Sequence, residues 1–204
     1  MTLKYWAIFF IILFCSCNSR QAVNSNSTSD VSITLLIQPF SDMPAYLTDS
    51  VFAQLKSVAP HIRLLEPVAM PGFAYYKPRN RYKADSIIKW LSKNTRTGFV
   101  TIGLTTKDMS TTNGNIADWG VMGLGYESGN ACVASAYRLN RNKLISELFK
   151  VAIHELGHTQ GLPHCANKTC FMRDAEGHNS TGEETGFCSR CKKLMMEKGF
   201  RFEN

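Results

Sequence analysis

Apolar residues along the chain follow two spacings, one of period two and one close to three and a half. Residues 31–40 carry Val31, Ile33, Leu35, Leu36, Ile37 and Phe40, a run that predicts a strand buried on at least one face. Residues 48–58 place Val51, Phe52 and Leu55 on one side of a predicted helix. A second strand is predicted over residues 61–68, with His61 beside Pro60 as a surface histidine. Residues 71–81 are rich in proline, glycine and aromatics and predict a loop with packed tyrosines. Ile87, Ile88 and Leu91 mark a helix over 84–92, and residues 98–105 a third strand. Residues 107–119 are polar and predict turns. Strands over 121–126 and 131–139 are joined by the turn signal Glu127-Ser128-Gly129-Asn130 and predict an antiparallel pair. Cys132 alternates with apolar neighbours in the second of these, as a small buried residue does. Strands and helices in this order predict a single α/β domain over 31–204, a mixed twisted sheet covered by helices.

The longest helical pattern carries the chemistry. Leu144, Ile145, Leu148, Val151 and Ala152 recur at helical spacing and predict a helix over 142–160, capped by Asn140 or Asn142. His154 and His158 are one turn apart, so their rings leave the same face and can grip one metal ion. Gly161 stands where the helix must end, because glycine takes a left-handed cap without steric cost. Pro163 stiffens the return, and His164 can swing back as a third ligand. Three protein ligands leave the fourth position of a zinc ion for water, the arrangement of a catalytic site. Glu155 lies beside the ligands, placed to take the proton of the zinc-bound water and pass it to a leaving amine. A bare His-Glu-x-x-His arises by chance in roughly one chain of this length in a few hundred, and the added glycine and histidine lower that by roughly a thousandfold. Three of the five histidines stand in this one stretch, so chance is a poor account of it.

Cysteines follow at once. Cys188 and Cys191 form a C-x-x-C knuckle able to place two thiolates on one metal, and Cys165 with Cys170 can supply the other pair. The segment between them holds Gly177, Gly182 and Gly186 with Asn179 and Ser180, a polar loop that needs a pin. Four-thiolate zinc is the favoured pin, with two disulfides as its rival and His178 as a substitute ligand. Leu194, Met195 and Met196 predict a short closing helix.

The run from His154 to His164, then His164-Cys165, Cys170-Phe171-Met172 and Cys188-x-x-Cys191, resembles the archaemetzincins, a family of metzincin zinc metalloproteases. The gap between Met172 and Cys188 is slightly shorter than the family pattern. A looser likeness reaches back through Tyr137-Arg138-Leu139 and the region of Arg81 and Tyr82. The resemblance implies a metzincin-like domain with Met172 as the Met-turn residue beneath the metal, and a second, structural zinc on Cys165, Cys170, Cys188 and Cys191. It also implies an edge strand beside the cleft that aligns an extended peptide substrate. Some metzincins carry a tyrosine soon after the Met-turn; here none follows Met172, and Arg173 is expected to be a solvated surface residue.

The front of the chain changes the expected location. Lys4 followed by apolar residues 6–14 has the make-up of a signal peptide and is short for a membrane span. Leu13-Phe14-Cys15-Ser16-Cys17 resembles a bacterial lipobox, which predicts a signal over 1–16 and lipidation of Cys17. Residues 18–30 are polar and predict a flexible tether that holds the domain off the envelope membrane. Net charge is +7, but the lysines and arginines are scattered and form no stripe suited to nucleic acid. The expectation is a monomeric, exported, lipid-anchored zinc metallopeptidase with two zinc ions. Its rival is a non-catalytic zinc-binding lipoprotein or interaction module, which would have no use for Glu155.

Overall fold

The computed structural model describes residues 33–202. The predicted signal, Cys17 and the tether lie outside the described residues. Among those described, no helix is long and apolar enough to cross a membrane.

A five-stranded sheet in the order β2-β1-β5-β9-β8 forms the frame. Its strands are β1 (Thr34–Pro39), β2 (Ile62–Leu64), β5 (Phe99–Thr105), β8 (Gly123–Gly125) and β9 (Ala131–Ser135). All pairs are parallel except β8 with β9, so the sheet is mixed and ends on an antiparallel edge. Helix α2 (Ala84–Asn94) covers one face. Helices α1 (Ala45–Val58) and α3 (Leu144–Thr159) cover the other. The pleat explains the division, because successive side chains point to opposite faces. In β9, Cys132 and Ala134 join the core shared with Val51, Leu148, Ala152 and Leu156. Ala131 and Val133 join Phe40, Ile87, Ile88 and Leu91 on the α2 side. Gly103 lets α2 approach: a Cβ there would come within 2.9 Å of the Leu91 side chain.

Two stretches depart from expectation. Residues 71–81 are not a loop. They form a 3-10 turn (Gly72–Ala74), β3 (Tyr75–Tyr76) and a second turn (Lys77–Arg79), after which β4 (Arg81–Lys83) pairs back on β3. Tyr75 is exposed; it stacks on Tyr82 at 5.3 Å rather than entering the core. Residues 107–119 likewise contain most of a hairpin, β6 (Met109–Asn113) with β7 (Ile116–Val121). With β3 and β4 these make a second sheet, in the order β3-β4-β6-β7. Hydrophobic alternation misses it because, apart from Met109 and Val121, which reach the apolar core, its buried positions are polar. Ser110 and Thr111 are buried, and Asp108 holds Arg81 at 2.6 Å and Arg138 at 2.7 Å. Gly114, at φ +56, opens the two-residue turn Gly114-Asn115 between the paired ends Asn113 and Ile116. The second strand of the large sheet is also shorter than expected, three residues with a later bridge from Val68 to Phe40. It lies on the sheet's outer edge, where less chain is needed. The closing helix α4 (Ser189–Glu197) begins before Cys191 and buries Met195.

Candidate metal centre

Helix α3 delivers His154, Glu155 and His158 to one spot, and Gly161 at φ +86 turns the chain so that His164 returns to them. His158 Nε2 lies 3.1 Å from His154 Nε2 and 3.2 Å from His164 Nε2. The Nδ1 atoms face acceptors. His154 Nδ1 is 2.6 Å from Phe171 O, His158 Nδ1 is 2.8 Å from Leu162 O, and His164 Nδ1 is 3.4 Å from Asp174 Oδ2. Carbonyl and carboxylate oxygens only accept, so the ring protons belong on Nδ1. Three Nε2 lone pairs are then left pointing at one another, an arrangement that a cation between them relieves. Tetrahedral zinc with ~2.0–2.1 Å bonds to nitrogen requires ligand separations of ~3.3–3.4 Å; the observed spacing fits. Burial, with the charge of His158 next, pushes His154 down to about 3, and burial also lowers His158. Both rings are thereby kept neutral, as ligation requires.

Glu155 is buried against β8. Burial pushes its carboxyl up to about 8, opposed by a hydrogen bond from the Gly125 backbone. Gly123 and Gly125 make this approach possible: a Cβ on Gly123 would come within 2.5 Å of Glu155 Oε1, and one on Gly125 within 2.5 Å of Glu155 O. Met172 is fully buried beneath α3, where a Cβ on Gly157 would overlap its sulfur. The Cys165 N–H donates to Met172 O at 2.7 Å, which couples this floor to the loop that carries His164.

The four cysteine sulfurs converge about a second point. Their Sγ atoms lie within 4.8 Å of one another, and Cys165 and Cys188 are 3.8 Å apart. Zinc bonds of ~2.3 Å to four sulfurs set a tetrahedral edge of ~3.8 Å. No disulfide forms among the described cysteines. Cys188 stands at the N-cap position of α4, where the helix dipole favours thiolate, and Cys191 sits in its first turn, where burial raises its thiol. Burial raises the Cys188 thiol, but the Cys191 N–H and the neighbouring thiols outweigh it and bring it to about 7. His178 is exposed and outside this group. Cys132 is buried in the sheet and belongs to neither cluster.

Polar contacts that the pattern of the chain did not announce hold the loop between the cysteines. Lys150, one turn before His154, donates to Thr181 O at 2.7 Å and Glu184 O at 2.6 Å. Glu147 is buried and accepts from Asn179 Nδ2 and from Asn140 N, both at 2.8 Å. Arg173 is not the solvated residue expected. Its side chain is 23% exposed and pairs with Glu183 at 2.6 Å. Tyr126 lines the cleft, but its hydroxyl donates to Asp85. Burial, with Asp85 next, pushes that hydroxyl up to about 12. The cleft encloses about 760 Å³ between β8, α3 and residues 174–184, enough for several side chains of an extended peptide.

Comparison with known proteins bears on this geometry. The sequence profile of peptidase family M54 matches residues 74–197. The archaemetzincin of Halobacterium salinarum is 31% identical over 174 residues, covering 78% of this chain and 98% of its own. That of Haloarcula marismortui is 30% identical with the same two coverages. The crystal structure of the Archaeoglobus fulgidus archaemetzincin superposes with a TM-score of 0.68 at 24% identity, over 79% of this chain and 99% of that one. The Methanopyrus kandleri archaemetzincin gives 0.69 at 23% identity, over 82% and 96%. At this identity the two structures speak for the fold, which they share with the mixed α/β frame described above. The profile and the halophile relatives carry the family: the chain belongs to peptidase family M54, the archaemetzincins, and is a zinc metalloprotease.

Proposed function

We propose that the protein is an envelope-tethered peptidase in which His154, His158 and His164 hold the catalytic zinc and Glu155 moves the proton. The observation that carries this reading is the convergence of three Nε2 lone pairs beside a buried carboxylate. When bound, zinc supplies Lewis acidity to the scissile carbonyl and to water. The chain's own residues do the rest. Strand β8, paired on one side only, offers its free edge to an extended substrate. Glu155, held in a dry pocket by the Gly125 N–H, accepts the proton of the attacking water on a carboxylate oxygen. It then delivers that proton to the amide nitrogen as the C–N bond breaks, so peptide and water become a carboxylic acid and an amine. Met172 floors the site and keeps α3 and the His164 loop in register. Cys165, Cys170, Cys188 and Cys191 hold a second zinc that anchors the same loop.

Elemental analysis of the protein beginning at Asn18 is expected to give two zinc ions per chain. Hydrolysis of unstructured peptides is expected to stop on chelation and return with zinc. Protein that binds no zinc, or that cuts peptides equally well after chelation, would refute the assignment. Tethering rests on Lys4, the apolar run over 6–14 and Cys17. Two signals normally make a lipid anchor stable, so the full chain is expected in the membrane fraction and Cys17→Ser in the soluble one. Equal membrane recovery of both would remove the lipid from the account.

A further inference from the structure

The charge balance of the cleft runs against that of the chain. Net charge is +7, yet the cations lining the cleft are engaged. Arg138 pairs with Asp108 at 2.7 Å, Arg173 pairs with Glu183 at 2.6 Å, and Lys150 donates to two backbone carbonyls. Among the lining carboxylates, Asp85 accepts from Thr111 and Tyr126 and Asp174 lies beside His164, while Glu184 has less support. Glu184 is 5% exposed, yet its only hydrogen bond among the described residues is from Ser180 Oγ to Oε1 at 3.3 Å. Lys150 and Arg173 act on it through charge alone. Burial pushes this carboxyl up to about 6, against the Ser180 hydrogen bond and the charges of Lys150 and Arg173, which lower it. Glu127 and Glu176, both exposed, add negative charge along the rim.

The position of Glu184 relative to the reacting bond follows from two elements. Gly123 packs on Val151 and Glu155, Gly125 on Glu155 O, and Ser128 N donates to His158 O at 3.0 Å. Strand β8 therefore runs in the same direction as α3. A peptide added antiparallel to β8, the slightly more stable ladder, runs the opposite way. Its amino-terminal part lies near Tyr126, and its carboxyl-terminal part passes Val151 and Lys150. The turn over residues 181–184 is fastened to Lys150, so Glu184 lies on the carboxyl-terminal side of the scissile bond.

We infer that Glu184 is a specificity-determining residue that selects substrates with a lysine or arginine immediately after the scissile bond, whose cation pairs with a buried carboxylate otherwise held by one long hydrogen bond. This rests on the peptidase reading above and adds a substrate class to it: basic peptides cut on the amino side of the basic residue.

The test uses two peptides, an alanine-rich sequence with one central lysine and the same sequence with norleucine there. Zinc-loaded protein is expected to cut the lysine peptide on the order of tenfold faster, the scale of a hydrogen bond to a charged group. Mass spectrometry should place the cut on the amino side of lysine. Binding to zinc-loaded Glu155→Gln protein, followed by fluorescence anisotropy, should show a preference of similar size. In Glu184→Gln the lysine-to-norleucine ratio should fall to near one; the norleucine peptide tests the wild type even if that variant misfolds. Equal cutting and equal binding of the two peptides would overturn the inference while leaving the peptidase intact. Cutting on the carboxyl side of lysine, or an undiminished ratio in folded Glu184→Gln, would overturn it too. Selective binding with no cutting of either peptide would sustain the inference and sink the peptidase reading instead.

Discussion

Glu155→Gln is expected to lower peptide turnover by roughly 10²–10⁴-fold, the usual scale of a lost general base, while the zinc content stays the same. Glutamine matches glutamate in shape and still offers an oxygen to the Gly125 N–H, so the packing against Gly123 survives. The candidate ligating atoms, on His154, His158 and His164, are untouched. What is lost is the capacity to take a proton and return it. Burial normally penalises this carboxylate, and the same penalty makes it a strong proton acceptor. Steady-state kinetics beside elemental analysis separates the two effects. Full turnover in a zinc-loaded Glu155→Gln protein would exclude Glu155 from the chemistry. A variant that loses zinc as well would instead give the carboxylate a structural share in the site.

The double substitution Cys188→Ser, Cys191→Ser should have the largest effect on stability. Two of the four sulfurs disappear, and one zinc ion per chain is expected to go with them. Apparent binding free energies of structural zinc reach ~10–16 kcal/mol in small zinc peptides, comparable to the ~5–15 kcal/mol stability of a whole domain. The loss here should be smaller and local. Lys150 and Glu147 still tie residues 179–184 to α3, and Met195 and Phe200 remain in the core. A melting temperature lower by about 10 °C or more is expected, given ~2–4 °C per kcal/mol for a domain of this size. Faster hydrogen exchange should appear over residues 165–191. Cys165 follows His164 directly, so the catalytic zinc should be stripped by chelator more readily as well. Two zincs retained, with melting moved by less than ~2 °C, would show that the cysteines do not hold a metal.

The elements that the sequence announced are those whose partner surface is apolar. Leu148, Val151 and Ala152 repeat at helical spacing because α3 lies on the sheet, and Ile87, Ile88 and Leu91 do so because α2 lies on its other face. The hairpin of β6 and β7 goes unannounced because, beyond Met109 and Val121 at the apolar core, its inner side chains meet an ion network. Ser110, Thr111 and Asp108 look like turn residues until Arg81 and Arg138 are placed beside them. Arg173 was misjudged for a related reason. Charge alone suggests solvent, and only the folded loop brings Glu183 to it.

The local order of the chain by itself marked out the two candidate metal clusters. A four-residue step on a helix, a glycine stop and a returning histidine leave few other arrangements, and Cys-x-x-Cys at a helix start is similarly constrained. Tertiary structure alone decided what surrounds that chemistry. It set the glycine edge that presses on Glu155, the methionine beneath Gly157, the Lys150 and Glu147 clasp on the loop, and the buried Glu184 in the cleft. The reason is range. Ligand spacing within one turn of helix is set by bonds and backbone angles, whereas a buried carboxylate's proton affinity and partners are set by groups tens of residues away, which come near only when the chain has packed.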